Sequence, residues 1–110
     1  MLPKQHRIVR AAEFRATMRT GRRRSGAMLV THTLRTDDSA PARFGFVVSK
    51  AVGGAVRRNA VKRRLRALCA ERIAAGTAGV DVVVRALPGA ATAPFDALRD
   101  DLRAQLGVLA

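Results

Sequence analysis

Arg43 to Arg72, RFGFVVSKAVGGAVRRNAVKRRLRALCAER, constrains this chain more than any other stretch. Phe44, Phe46 and Val48 alternate with Gly45, Val47 and Ser49, the two-residue period of a strand. Gly53 and Gly54 interrupt it. The period then changes: Val61, Leu65, Leu68, Cys69 and Ile73 recur at helical spacing, which predicts a helix from about Val56 to Ala75, closed by Gly76 at the C′ position. Asn59, Arg63 and Arg66 fall away from that apolar stripe, with Lys62 and Arg64 on its flanks. From Lys50 to Arg66 there are seven basic residues and no acid, so the free surface of this helix needs a polyanion. The expected partner is nucleic acid.

The charge is uneven along the chain. Of a net +13, residues 1–72 carry 18 Lys and Arg against 4 Asp and Glu, and residues 73–110 carry 3 against 4. The first two thirds therefore make the basic field, and the rest reads as scaffold. With 110 residues, 48% of them hydrophobic, one domain over 1–110 is expected, with a packed core rather than wholesale disorder. The single cysteine, Cys69, lies on the apolar stripe, excludes an intramolecular disulfide and suits a reducing cytoplasm. No apolar run approaches the roughly 20 residues that span a bilayer, so no membrane role is expected.

Taken in order, residues 1–7 read as a flexible basic tail, with Ile8 and Val9 as its pins and His6 solvated. A short helix follows over about 11–19, where Phe14 and Met18 share a face and, by periodicity alone, read as core. Gly21–Gly26, with three consecutive arginines, reads as a flexible basic loop that would add backbone phosphate contacts. Met28 to Leu34 reads as a strand with Met28, Val30 and His32 on one face; the turn cluster 36–41 would join it to the Phe44 strand as an antiparallel hairpin. After the long helix, Val80–Arg85 is a β-branched strand and 87–93 a loop. A last helix over about 94–106 carries the stripe Phe95, Leu98, Leu102 and Leu106, with Gly107 closing it. The element order is α+β, a sheet with helices packed against it.

Residues for independent catalysis are missing. There are two histidines, one cysteine and no tyrosine, and no HExxH, CxxC or GxSxG. No clustered carboxylates offer Mg²⁺ a site. Binding is better supplied. Lys62, Arg63 and Arg66 can neutralise phosphates, Arg57 and Arg58 can grip them bidentately, and Asn59 can read a base edge or sugar hydroxyl.

The string SK-x-x-G-x-AV-x-RN-x-x-KR-x-x-R, carried by Ser49, Lys50, Gly53, Ala55, Val56, Arg58, Asn59, Lys62, Arg63 and Arg66, resembles the signature of the bacterial ribonuclease P protein subunit. The resemblance runs from about Arg7 to Gln105; Ala60 stands where the family often has a second arginine after the asparagine. It implies a two-layer α/β sandwich of about four strands and three helices, with a left-handed crossover through the basic helix. It also implies an RNA catalyst that removes the 5′ leader from precursor tRNA with RNA-bound Mg²⁺, and a protein that binds no cofactor itself. The basic helix with Lys50, Arg57, Arg58, Asn59, Lys62, Arg63 and Arg66 would meet the RNA subunit. A cleft between the first helix and the open sheet face would take the leader at Phe14, Met18 and His32, with Val30 and Val47 as neighbours. The family usually has aromatics where Met18 and His32 stand, so charge and shape would do most of the gripping.

Two other classes compete: a small basic ribosomal or architectural RNA-binding protein, and a DNA-binding regulator. The second lacks a short helix before the basic one at helix-turn-helix spacing.

Overall fold

The computed structural model describes residues 2–107. In chain order it contains helix α1 (Ala11–Thr20), strands β1 (Arg22–Ser25), β2 (Leu29–Arg35) and β3 (Arg43–Val47), helix α2 (Ala55–Ala74), strand β4 (Val80–Ala86) and helix α3 (Phe95–Leu106). Short 3-10 turns occupy Lys4–His6, Lys50–Val52 and Pro88–Ala91, the last within the expected 87–93 loop. The elements form one mixed sheet with three helices, an α+β fold as the pattern predicted.

The most apolar run takes the centre of the sheet. Strand order is β1-β2-β4-β3; β4 runs antiparallel to β2 and parallel to β3. In β4 only Arg85 is exposed, so the strand needs a neighbour on each edge and a helix on each face. This corrects the expected β2–β3 hairpin: β4 lies between those strands, and β3 is an edge. Periodicity shows which residues are strand and says little about which strands are neighbours. β3 also stops at Val47, two residues short of the expected alternation to Ser49, although Val48 is buried.

The arginine loop is likewise a strand. Arg22, Arg23, Arg24 and Ser25 pair in register with Thr33, His32, Thr31 and Val30. Arginines are compatible with an edge strand because their long side chains can extend into water while the backbone satisfies the ladder.

The tail is tied down. Leu2 is only 1% exposed and belongs to the core, Ile8 N–H donates to Phe44 O at 3.0 Å, and the His6 ring Nδ1 donates to Ala42 O at 2.6 Å. Val9, expected as a pin, is 70% exposed. Met1 lies outside the described residues.

The main core lies between one sheet face and α2 and α3. Leu29, Phe44, Val82 and Val84 pack with Leu65, Leu68 and Cys69 of α2 and Leu98, Leu102 and Leu106 of α3. Each fully buried leucine contributes roughly 1.5–3 kcal/mol. α2 ends as expected: Gly76, at φ 103°, donates to Ile73 O, and Thr77 N–H reaches Arg72 O, the paired bonds of a Schellman cap. α3 is locked onto β2 by Asp101, whose carboxylate accepts the Met28 and Leu29 N–H groups at 3.0 and 2.9 Å. Buried Gln105 completes that lock, accepting from Thr31 Oγ1 and donating to Leu29 O.

α1 lies against the opposite face. There the register aligns His32, Val83 and Gly45 across three strands, and the Phe14 ring sits directly on Gly45. A Cβ at position 45 would lie 2.5 Å from two ring carbons, so only glycine admits this contact.

Candidate nucleic-acid interface

The basic residues of α2 emerge from the back of the core stripe. Val61, Leu65, Leu68 and Cys69 are buried, and Ile73 packs at the end of the row. That placement turns Arg57, Asn59 and Arg63 outward, while Arg58, Lys62 and Arg66 are half-buried. Lys50 is exposed on the preceding 3-10 turn, where Ser49 Oγ accepts the Ala51 N–H at 3.3 Å. Arg57 lies across Gly53, its Cδ 2.8 Å from where a Cβ would stand. Gly54 at the N-cap has no side-chain capping group, so the first N–H groups of α2 stay available to an acceptor.

What distinguishes this face is its lack of acids. Among the described residues the ion pairs join Arg43 to Glu13 and Asp81, and Arg99 to Glu71 and Asp96. None involves a cation between Lys50 and Arg66. Lys62 and Arg66, one turn apart, instead border a cavity at the β3 edge together with Phe14 and Phe46.

The sheet face beside α1 has a different character. Arg43 donates two bonds to Asp81, from Nε at 2.9 Å and Nη2 at 2.7 Å, and its Nη1 pairs with Glu13 at 2.9 Å. The trio ties α1 to β3 and β4. The hydrogen bond from Arg43 holds the Glu13 carboxyl below the usual range, and the Asp81 partnership raises the Arg43 pKa. Next to this clamp, Phe14 is half-buried and Met18 is 36% exposed. The following row of the sheet aligns Val30, Arg85 and Val47. Val47 is half-buried and Arg85 exposed, but Val30 is buried and forms floor rather than open surface.

His32 brings no charge to this cleft. It is 8% exposed, its Nδ1 is buried without a partner, and burial, then Arg23 and Arg85, lowers its pKa from 6.5. The ring is therefore neutral at neutral pH and does not attract phosphate as a cation. Arg85 and Arg23 supply the positive charge here; sequence reasoning missed Arg85 and took Arg23 for a phosphate contact in a loop, not beside the cleft. The signal for Arg85 was present: Asp81, Val83 and Arg85 share one face of β4, two charges at period two in an otherwise apolar strand. Arg23 was hidden by reading its strand as a loop.

Most of the described acids are engaged elsewhere, while Asp38 and Asp100 stand exposed on the surface. Asp37 accepts from the Ser39 amide and hydroxyl, which lowers its pKa; Glu71 and Asp96 both hold Arg99. No group of three or more His, Cys, Asp or Glu among the described residues could hold a metal ion. Burial pushes the Cys69 thiol up, away from a reactive thiolate.

A family model described as Ribonuclease P matches residues 2–110. This chain belongs to the ribonuclease P protein family. It is 54% identical over 103 residues to the ribonuclease P protein component of Kocuria rhizophila, covering 94% of this chain and 90% of that one. The Rhodococcus opacus component is 48% identical over 112 residues, with coverage of 96% and 90%. Among solved structures, the Staphylococcus aureus RNase P protein superposes with a TM-score of 0.85 at 25% identity, covering 96% of each chain. The Thermotoga maritima RNase P protein shares the fold, with a TM-score of 0.80 at 23% identity over 91% and 94% of the two chains. The chain is thus a ribonuclease P protein component, an RNA-binding subunit of a tRNA-processing endoribonuclease whose partner is the RNase P RNA. The family match decides against the ribosomal or architectural alternative. No helix among the described residues is long and apolar enough to cross a membrane.

Proposed function

We propose that the two surfaces divide the RNA between them. The face of α2 with Lys50, Arg57, Arg58, Asn59, Lys62, Arg63 and Arg66 binds the RNA subunit. The cleft bounded by Phe14, Met18 and Val47, floored by Val30 and His32, holds the single-stranded leader of precursor tRNA. Arg85 and Arg23 add charge beside that path. The observation that carries this reading is the run of seven α2-side cations without one acidic partner among the described residues. Uncompensated charge of this density favours a phosphate backbone. Single-stranded RNA suits a shallow cleft with apolar walls.

Mg²⁺ in this reading belongs to the RNA. The described carboxylates do not fit it: no three of them cluster into a metal site, and Glu13, Glu71, Asp81, Asp96 and Asp101 are committed to Arg43, Arg99 or backbone N–H groups. The protein's work is to screen phosphate repulsion and hold the leader, in the cytoplasm where precursor tRNA is made.

The test is leader removal at low Mg²⁺ by the RNA subunit with and without this protein. Faster removal with the protein is expected; an unchanged rate would overturn the assisting role. Protein freed of RNA is expected to cleave nothing.

A further inference from the structure

Three of the chain's four phenylalanines meet at one edge of the sheet. Around the outer edge of β3, where Arg7 bridges Phe44, lies a cavity of about 350 Å³, within the range of roughly 300–1,000 Å³ typical of small-ligand pockets. Phe14 and Phe46, both half-buried, form apolar walls, with Phe44 behind them. Arg7, Lys62 and Arg66 supply the charge, and no acid lines the space.

The strand edge adds direction. Phe44 O accepts the Ile8 N–H, and backbone groups on one side of a strand recur at every second residue. The N–H and C=O of Phe46 therefore face the same open edge. A donor beside an acceptor matches the edge of a nucleobase, a phenyl ring matches its face, and the cations match the neighbouring phosphates. A purely apolar ligand would leave the charges unused, and a bare anion would leave the rings unused.

We infer that this cavity takes one unpaired nucleotide of bound RNA, its base against Phe46 and its flanking phosphates on Arg7, Lys62 and Arg66. The inference rests on the RNA-binding reading of α2, because Lys62 and Arg66 serve both. It makes Phe14 a shared wall, with the nucleotide on one side and the leader cleft on the other. The nucleotide can come from the RNA subunit or from the precursor.

The chain contains no tryptophan or tyrosine, so Phe46→Trp creates a single fluorescent reporter. The full-length variant is titrated with the RNA subunit and then with precursor tRNA, while filter binding follows complex formation separately. Stacking quenches the emission. Quenching by the RNA subunit alone assigns the nucleotide to that subunit, and quenching only after precursor is added assigns it to the leader. Unchanged emission in a complex that filter binding shows to be formed overturns the cavity and leaves the α2 reading standing. Failure of the wild-type protein to bind the RNA subunit would instead remove the α2 reading.

A second variant guards against misfolding of the first. Phe46→Leu keeps apolar bulk but removes the aromatic face. It should weaken a short oligouridylate by about 5-fold or more, the lower end of one stacked base, and leave an abasic oligomer of equal length unaffected. Equal affinities of the wild-type protein for the two oligomers would overturn the assignment of a base to this cavity.

Discussion

The outer face of α2 and the sheet face under α1 lie on one small molecule and are built on opposite terms. On α2 the cations from Lys50 to Arg66 have no acidic partner among the described residues, so the face keeps its full attraction for phosphate. Under α1 the floor is uncharged, because Arg43 joins Glu13 and Asp81 and His32 is buried and neutral, and the remaining charge stands beside it on Arg85 and Arg23. In the proposed division one surface binds by charge and the other chiefly by shape. The contrast shows how a chain with net +13 can separate a salt-sensitive grip from a shape-dependent one.

Breaking the Arg43 clamp should have the largest effect on stability. Arg43→Met removes both donors from Asp81, whose side chain is only 8% exposed. A buried group stripped of its partner costs about 1–3 kcal/mol, which thermal or denaturant melting will register. Leader-dependent affinity should fall as α1 loosens, while affinity for the RNA subunit holds. If both fall equally, the two surfaces are not independent.

His32 sharpens the same comparison with a smaller effect. His32→Ala should reduce the affinity gained from the leader by about 5-fold, taking the low end of one stacking contact, and leave mature tRNA unchanged. His32→Tyr should strengthen the gain. Equal losses for precursor and mature tRNA would place His32 outside the leader path.

The smallest effect is on stability against pH. Arg43 holds the Glu13 pKa below 4.5, so this contribution is present above that pH and is lost as pH falls through the lowered value. Glu13 is a third exposed, which keeps the effect small, and Glu13→Gln should flatten that limb of the melting curve. His32 adds a second limb. Its folded pKa lies below 6.5, so the unfolded chain takes up the proton first and stability declines as pH drops below that point. His32→Gln should remove this second decline. A melting profile unchanged by either substitution would contradict the assigned proton linkages.

The legibility of the sequence followed the range of the interactions. Local signals gave α2 within a residue at each end, the Gly76 cap, the apolar stripes of α2 and α3, and the uncompensated run of cations. What depended on distant partners was hidden. Nothing within Val80–Ala86 says that it separates β2 from β3, and the arginines of β1 read as a loop until β2 provides their ladder. Leu2 looked like a tail residue because the core that buries it is made by residues far along the chain. The candidate site divides the same way. The α2 residues were legible from helical spacing, whereas Arg85 and Arg23 joined the cleft only through strand register.

The measurement that bears most directly on the charge-built face is the salt dependence of RNA-subunit binding. Arg58, Lys62 and Arg63 lie off the buried stripe, so replacing all three with alanine should leave a folded protein, verified by melting. The plot of log affinity against log salt should then become shallower by about two to three, close to one for each phosphate contact removed. An unchanged slope in a folded triple variant would contradict the account and take α2 out of the RNA interface.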